Sequence, residues 1–493
     1  MSPRVISLAR PLAIAAVMAG LATACKVGPN YTTPQELPTH EWSQNAQGPV
    51  TADQPDLHEW WKRFNDPILD QLIAQAEVSN AKLEMALANV RVALGALGVS
   101  ESEYWPSIKT GIAYSRNQTN INLIPSTGVE SSPFSVWTAG VAMTGWEIDV
   151  WGRVARLVES STASLAADVE DVRDALISVR GQVGATYMKV RTLQVQLGIL
   201  ETAIVNARTT CELALAKFTA GTNTLLDLNE ARQDLETLEA QLPQIEADLA
   251  ASIFSVAQLC GTTPEPMVKL LGPRSVIPTG PASVGVGIPT ELLRRRPDVR
   301  SSERRAAAAV ATIGATEALN YPVFSLNGSF YLAANQFGSM FNSPSSTYGF
   351  GPSVSWLVFQ GGYVESLIAQ SKGQAQVALA SYRDTVLEAV RDVETSISNL
   401  VQAQREVESY GEAAMLAQST FELAQAQYAA GTVDLDRLIT IQNNLLEVQE
   451  DMASSQGALA TDFVSLYRAL GGGWEQTAVN QEATANAGGK VTP

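Results

Sequence analysis

The chain has 493 residues, 46% of them apolar and only 17% charged, so it can bury or embed more surface than a typical soluble domain, about a quarter of which is charged. A net charge of −17 leaves no basic stripe to replace phosphate counterions, which excludes a nucleic-acid partner. Two histidines, three cysteines and the absence of GxxxxGKS/T, HExxH or GxSxG leave no basis for an enzyme, a cofactor or a metal site.

Residues 1–24 read as an export signal. Arg4 and Arg10 supply the positive start, Leu12 to Leu21 the apolar stretch, and Ala22-Thr23-Ala24 a small-residue cleavage site. Its removal takes two arginines and no acid, which leaves −19. The run Leu-Ala-Thr-Ala-Cys that ends at Cys25 resembles a bacterial lipobox, with Leu21 one place further from the cysteine than usual. Acylated Cys25 would tie the chain to a bilayer, and stable anchoring takes more than one acyl chain. An ordinary signal peptide cleaved near a cysteine is the plain alternative. Lys26 after the cysteine, by resemblance to Gram-negative lipoproteins, favours the outer membrane. Residues 25–62 read as an extended segment that carries His40 and His58 at the surface. Beyond the signal, no uninterrupted apolar run reaches the ~18 residues of a membrane helix.

Past the extended segment, the chain is one unit written twice. Thr210 to Thr222 and Thr420 to Thr432 agree at eight of thirteen positions, at an offset of 210. The same offset carries Trp146 onto Trp356 and Gly152 onto Gly362, and upstream Pro106 meets Pro322 at 216. The first unit is expected over 63–275 and the second over 285–474, with 475–493 a disordered tail.

Each unit opens with a helix. Pro67, following Asp66, starts one through Leu69, Leu72, Ile73, Ala76, Leu83 and Leu87; Pro297-Asp298 starts an alanine-rich one to Ala318. Both stop before an aromatic-proline pair, Trp105-Pro106 and Tyr321-Pro322. The period then changes to two, which predicts strands at about 107–116, 136–147, 323–333 and 347–359. Phe324, Leu326, Phe330 and Leu332 alternate with Ser325, Asn327, Ser329 and Tyr331, so one face is apolar and the other mostly small or polar. A half-buried soluble sheet has the same pattern, but aromatics at both ends of these segments favour a membrane barrel.

Long helical hairpins close both units, over about 152–260 and 362–471. Leu165, Val169, Val172, Leu176, Val179, Val183, Tyr187, Val190, Leu193, Leu197, Leu200 and Ile204 recur mostly by threes and fours, a coiled-coil seam. The outgoing helix spans ~100 Å at 1.5 Å per residue. Ala-Gly-Thr at 220–222 and 430–432 turns it, with glycine in the left-handed conformation. Cys211 and Cys260 cannot meet, because the hairpin displaces them by ~43 Å along its axis.

Four strands leave unpaired edges that lipid does not tolerate, and eight make about the smallest membrane barrel, so the chain has to oligomerise. Two copies supply eight strands and three copies twelve. The small residues Gly349, Gly351, Ser353 and Ser355 favour the wider lumen.

Cys25-Lys-Val-Gly-Pro-Asn-Tyr31, Phe64-Asn-Asp-Pro67, the paired Ala-Gly-Thr turns, Ile288-Pro-Thr-Glu-Leu-Leu-Arg-Arg-Arg-Pro-Asp298 and Arg468-Ala-Leu-Gly-Gly-Gly-Trp474 resemble the TolC/OprM-type outer-membrane efflux proteins. More narrowly they resemble the NodT-like lipoprotein branch that serves RND efflux systems. Ala306 and Thr316 depart from the family's usual leucine and alanine. The resemblance implies an α+β membrane protein: a homotrimer whose twelve-strand β-barrel in outer-membrane lipid continues into a twelve-helix periplasmic α-barrel. It further implies a passive conduit fed by an inner-membrane RND-type pump through a periplasmic membrane-fusion adaptor. By the same resemblance Asp227 and Tyr428 sit at gate positions, where a hydrogen bond between them would latch the tip. Asp434 and Asp436 would form acidic rings, although Val433 and Arg437 replace two expected polar or acidic residues. Gly221, Thr222, Gly431 and Thr432 mark the adaptor contact. For Asp227 and Tyr428 a helix-start acid and a packed tyrosine remain the alternative, and for the ring a solvated tip. Type I protein secretion and metal efflux stay open within the conduit reading, and a periplasmic coiled-coil scaffold lipoprotein is the competitor of another class. Nine dispersed methionines and two histidines argue against a copper or silver route.

Overall fold

A computed structural model describes residues 26–34, 42, 49–51, 53–54, 56–118, 133–289, 294–474, 481 and 485. The signal at 1–24, Cys25, His40, part of the 288–298 motif and all of the expected tail but residues 481 and 485 lie outside the described residues. In chain order the elements are β1 (Val50–Thr51), α1 (Pro67–Ser79), α2 (Ala81–Ser102), β2 (Ile108–Asn117), β3 (Phe134–Ile148), α3 (Arg153–Thr219), α4 (Leu225–Leu259) and α5 (Pro264–Leu271). Then come β4 (Val284–Gly285), α6 (Pro297–Glu317), β5 (Val323–Ala334), β6 (Ser346–Ser355), α7 (Tyr363–Ala430) and α8 (Leu435–Ala469).

The order repeats, and so do its fastenings. Trp146 Nε1 donates to the Tyr104 carbonyl at 3.1 Å, and Trp356 Nε1 donates to the Asn320 carbonyl at 3.0 Å. Each tryptophan thereby ties the end of a strand hairpin to the end of the preceding helical segment. The second tie also ends β6 at Ser355, short of the expected 359, and Trp356 to Phe359 stay exposed outside the ladder.

The helix expected from Pro67 to beyond Leu87 is two helices. Asn80 adopts an extended backbone between α1 and α2 and caps the second, its Oδ1 accepting from Lys82 N at 2.9 Å. Its Nδ2 donates to the Leu259 carbonyl at 2.7 Å, so the end of the α3–α4 hairpin fixes the break. Taken together Pro67–Ser102 is long and apolar enough to cross a membrane by composition, which a count of uninterrupted apolar residues overlooks. The break at Asn80 and the packing of Leu69, Leu72, Ile73, Leu83, Val90 and Leu97 in two buried clusters favour a protein-packed pair instead.

The α3 seam is buried from Leu165 to Ile204, with Leu193 partly exposed. Around Trp60, Trp61 and Phe64 the main core joins α1, α3, α4, α7 and α8, with Trp60 stacked on Tyr467 at 5.3 Å. Cys211 and Cys260 are free thiols. Cys260 is fully buried, its Sγ donates to the Leu72 carbonyl at 3.5 Å, and burial pushes the thiol up to about 11. A maleimide near neutral pH should therefore label half-buried Cys211 and reach Cys260 only after unfolding; equal native labelling rates would contradict this packing.

The sheet has the order β2-β3-β5-β6, antiparallel throughout. Ile108, Met143, Gly328 and Phe350 lie in one cross-strand row, and Ile112, Ala139, Leu332 and Ser346 in another. The apolar faces of all four strands thus coincide. Between Met143 and Trp146 the register shifts by one residue, with Gly145 at φ 67° and its N–H bonded to Asn327 Oδ1 at 2.8 Å. Without that bulge Trp146 and Ile148 would cross to the small-residue face. Both edges, β2 and β6, are ten residues long and exposed along their length in the single chain.

Candidate functional site at the hairpin tips

Both hairpins turn by the same local device. Gly221 (φ 73°) and Gly431 (φ 77°) take the left-handed conformation, and the next N–H reaches back six residues in count: Thr222 N to the Lys217 carbonyl at 2.9 Å, Thr432 N to the Gln427 carbonyl at 3.0 Å. Each threonine hydroxyl donates to the same carbonyl. This Schellman arrangement uses carbonyls that a helix end otherwise leaves unpaired, and only glycine takes that backbone without strain. Gly221, Thr222, Gly431 and Thr432 are all exposed, with open space around both glycine Cα atoms.

Above the turns the two hairpins of one chain are fastened together. Tyr428 is 2% exposed, packed with Ala214, Leu228, Ala231, Phe421, Leu435 and Leu438. Its hydroxyl accepts from Asn223 Nδ2 at 2.9 Å. Lys217 Nζ donates to the Tyr428 carbonyl and lies 4.1 Å from the centre of its ring. Burial, and then the nearby Asp227 charge, push the phenol above its ordinary range, so it stays a neutral hydroxyl. Higher up, Asp234 on α4 accepts from Asn443 Nδ2 on α8 at 3.0 Å.

Asp227 is close to Tyr428 but does not bond to it within the chain. Its Oδ2 accepts from Thr224 N at 2.7 Å and Thr224 Oγ1 at 2.9 Å, while its own N–H donates back to Thr224 Oγ1. That is a capping box on α4: within the single chain the carboxylate is taken by orphan donors at its own helix start, the alternative the sequence also offered, and Asn223 takes the phenol. Asp434 is the N-cap residue of α8 and makes no side-chain cap bond; Asp436 is in the first turn, and both are exposed beside exposed Arg437. Lys217 and Asn223 are the residues that sequence reasoning missed. A signal was present in the repeat, where lysine stands opposite Gln427.

At the opposite end of α3 the N-terminal segment is strapped to the junction of sheet and helices. Arg156, 1% exposed, donates to the carbonyls of Val27 and Gly28 at 3.1 and 3.2 Å and to Asn30 Oδ1 at 2.9 Å. Val27 N donates to the Trp151 carbonyl at 3.1 Å, and the Trp151 ring stacks on Tyr321 at 4.6 Å. Lys26 reaches Glu159 at 3.3 Å. The residue after Cys25 is therefore fixed just below the strand ends.

A sheet with one continuous apolar face, standing on helices of 67 and 68 residues that end in polar tips, defines a membrane channel component with a long extension into water. The chain belongs to the outer membrane efflux protein family, whose sequence pattern matches residues 72–262 and 288–472, once per repeat and over well more than half the chain. It is 26% identical over 475 residues to the probable efflux pump outer membrane protein TtgC of Pseudomonas putida, an alignment covering 95% of this chain and 97% of that one. Nodulation protein T of Rhizobium leguminosarum bv. trifolii is 27% identical over 461 residues, 93% and 96% of the two chains. The solved structure of the outer-membrane channel OprN superposes with a TM-score of 0.85 at 28% identity, covering 91% of this chain and all of that one. The chain is an outer-membrane efflux channel.

Proposed function

We propose that three copies close into one tube, a twelve-strand barrel in the outer membrane above a twelve-helix periplasmic tunnel, through which small molecules leave passively. The observation that carries this reading is the pair of open edges. β2 and β6 each present ten residues of unpaired backbone at the border of an apolar face. In hydrocarbon each unmet N–H or C=O costs several kcal/mol, so β2 of one copy has to pair with β6 of the next until the ring closes. Eight strands would be filled by their own side chains, whereas the Gly349, Gly351 and Ser353 row leaves room in a wider lumen.

The remaining roles rest on position. Cys25 carries acyl chains that enter the outer membrane, because Lys26 beside it is held at the sheet–helix junction under Trp151 and Tyr321. The exposed turns at Gly221, Thr222, Gly431 and Thr432 meet a periplasmic membrane-fusion adaptor, which links the tunnel to an inner-membrane RND-type pump. Tyr428, held by Lys217 and Asn223, keeps the tip narrow. Threefold repetition of Asp434 and Asp436 gives the tip an acidic rim that favours cations.

The test is assembly with conductance. Purified full-length protein should cross-link as a trimer and form ion-conducting channels in planar bilayers, and a Cys25→Ser variant should lose its lipid mass. A stable monomer without conductance would sink the reading.

A further inference from the structure

We infer that Lys109 forms a cationic collar inside the barrel that favours small organic anions bearing carboxylates. The inference rests on the trimeric pore proposed above.

The argument starts from the pleat. Lys109 pairs with Ala142, Ala142 with Ser329, and Ser329 with Gly349, so one row across all four strands holds a single long side chain among small ones. The adjacent rows on either side, such as Ile108–Met143–Gly328–Phe350, belong to the apolar face. Lys109 is therefore on the face that looks into the lumen.

Among the described strand residues on that face only Lys109 and Glu147 are charged. Glu147 is already taken: Arg153 Nε donates to its two oxygens at 3.0 and 2.9 Å, and Arg153 Nη2 to Oε2 at 2.7 Å, with Glu103 as a second carboxylate on the same guanidinium. Lys109 has no ion pair or side-chain hydrogen bond among the described residues. Nor does the closing strand supply one. The inward residues of β6 are Thr347, Gly349, Gly351, Ser353 and Ser355, so in any register that preserves the faces the neighbouring copy brings no carboxylate from its edge strand.

Twelve strands spaced at ~4.8 Å and tilted by ~40° enclose a ring about 12 Å in radius at the backbone. That radius is close to the Debye length of about 10 Å at 0.1 M salt, so three inward ammonium groups act on ions at the axis as well as at the wall. A lysine ring in a pore selects anions, as acidic rings select cations. The lumen would then offer its positive charge at the barrel, opposite in sign to the exposed aspartates Asp434 and Asp436 far below.

Citrate is the probe. Added on the barrel side of single channels in planar bilayers, it should block native current, and the half-blocking concentration should rise about fivefold or more in Lys109→Gln and Lys109→Glu while Lys109→Arg stays native-like. Lys109 is exposed in the single chain, and trimer formation is checked by cross-linking each variant. Equal half-blocking concentrations in all four proteins would overturn the collar while leaving the pore intact. Absence of conductance in the native protein would overturn the pore and the collar with it.

Discussion

A Tyr428→Ala channel is expected to pass severalfold more current than the native one in planar bilayers. The tyrosine is almost fully buried between the two hairpins of one chain, and truncating a buried aromatic costs ~3–5 kcal/mol. The change also removes the ring under Lys217 and the hydroxyl that Asn223 donates to. The hairpins then lose what fastens their tips, and the narrow end widens. Tyr428→Phe gives a graded control. It keeps the ring and deletes one hydrogen bond worth about 1 kcal/mol, which shifts the closed-to-open ratio by about fivefold. Asp227→Asn separates the two accounts of this corner. If Asp227 acts as the α4 cap, conductance stays near native; if it latches Tyr428 directly, conductance matches Tyr428→Phe. Equal currents in Tyr428→Ala and native channels would show that the tips are held elsewhere.

Glu170→Ala should lower the melting temperature of the protein sharply, with a loss of about 3–5 kcal/mol. Glu170 and Arg173 are 4% and 3% exposed; Glu170 Oε1 accepts a hydrogen bond from Arg173 Nη1 and forms an ion pair with Arg300 Nη2, each at 2.7 Å. Both guanidiniums also lie over the Trp474 ring, at 4.8 and 5.9 Å. Removing the carboxylate leaves two cations facing each other at a junction that joins α3, α6 and the end of the second repeat. Burial already depresses the Arg300 pKa, so little solvent is available to replace the lost partner. Glu170→Gln should cost less because it keeps an acceptor, and Arg173→Met added to Glu170→Ala should recover part of the loss by removing one of the two cations. Differential scanning of the purified protein in detergent measures all three; an unchanged melting temperature in Glu170→Ala would contradict the account.

Much of the single chain's fold was legible in the sequence. The repeat offset placed both units, the change of period from 3.6 to 2 placed the strands, and Ala-Gly-Thr placed the hairpin turns. Those features are local: periodicity comes from the pitch of a helix or the pleat of a strand, and a left-handed turn selects glycine wherever it occurs. The misses were all non-local. Asn80 breaks a helical pattern because Leu259, 179 residues away, accepts from its side chain. Nothing in the neighbours of Arg156 marks it as buried, because the strap that covers it comes from Val27 and Gly28.

The sequence by itself determined the duplicated architecture, the alternating strand faces and the positions of the tips, because each is written in neighbours a few residues apart. Tertiary structure alone decided that a bulge at Gly145 keeps Trp146 on the apolar face, that Lys217 and Asn223 hold Tyr428, and that Lys109 shares its row with small residues only. Those outcomes depend on register and on contacts spanning up to 211 residues, which no local pattern encodes, since a one-residue shift in pairing reverses every face.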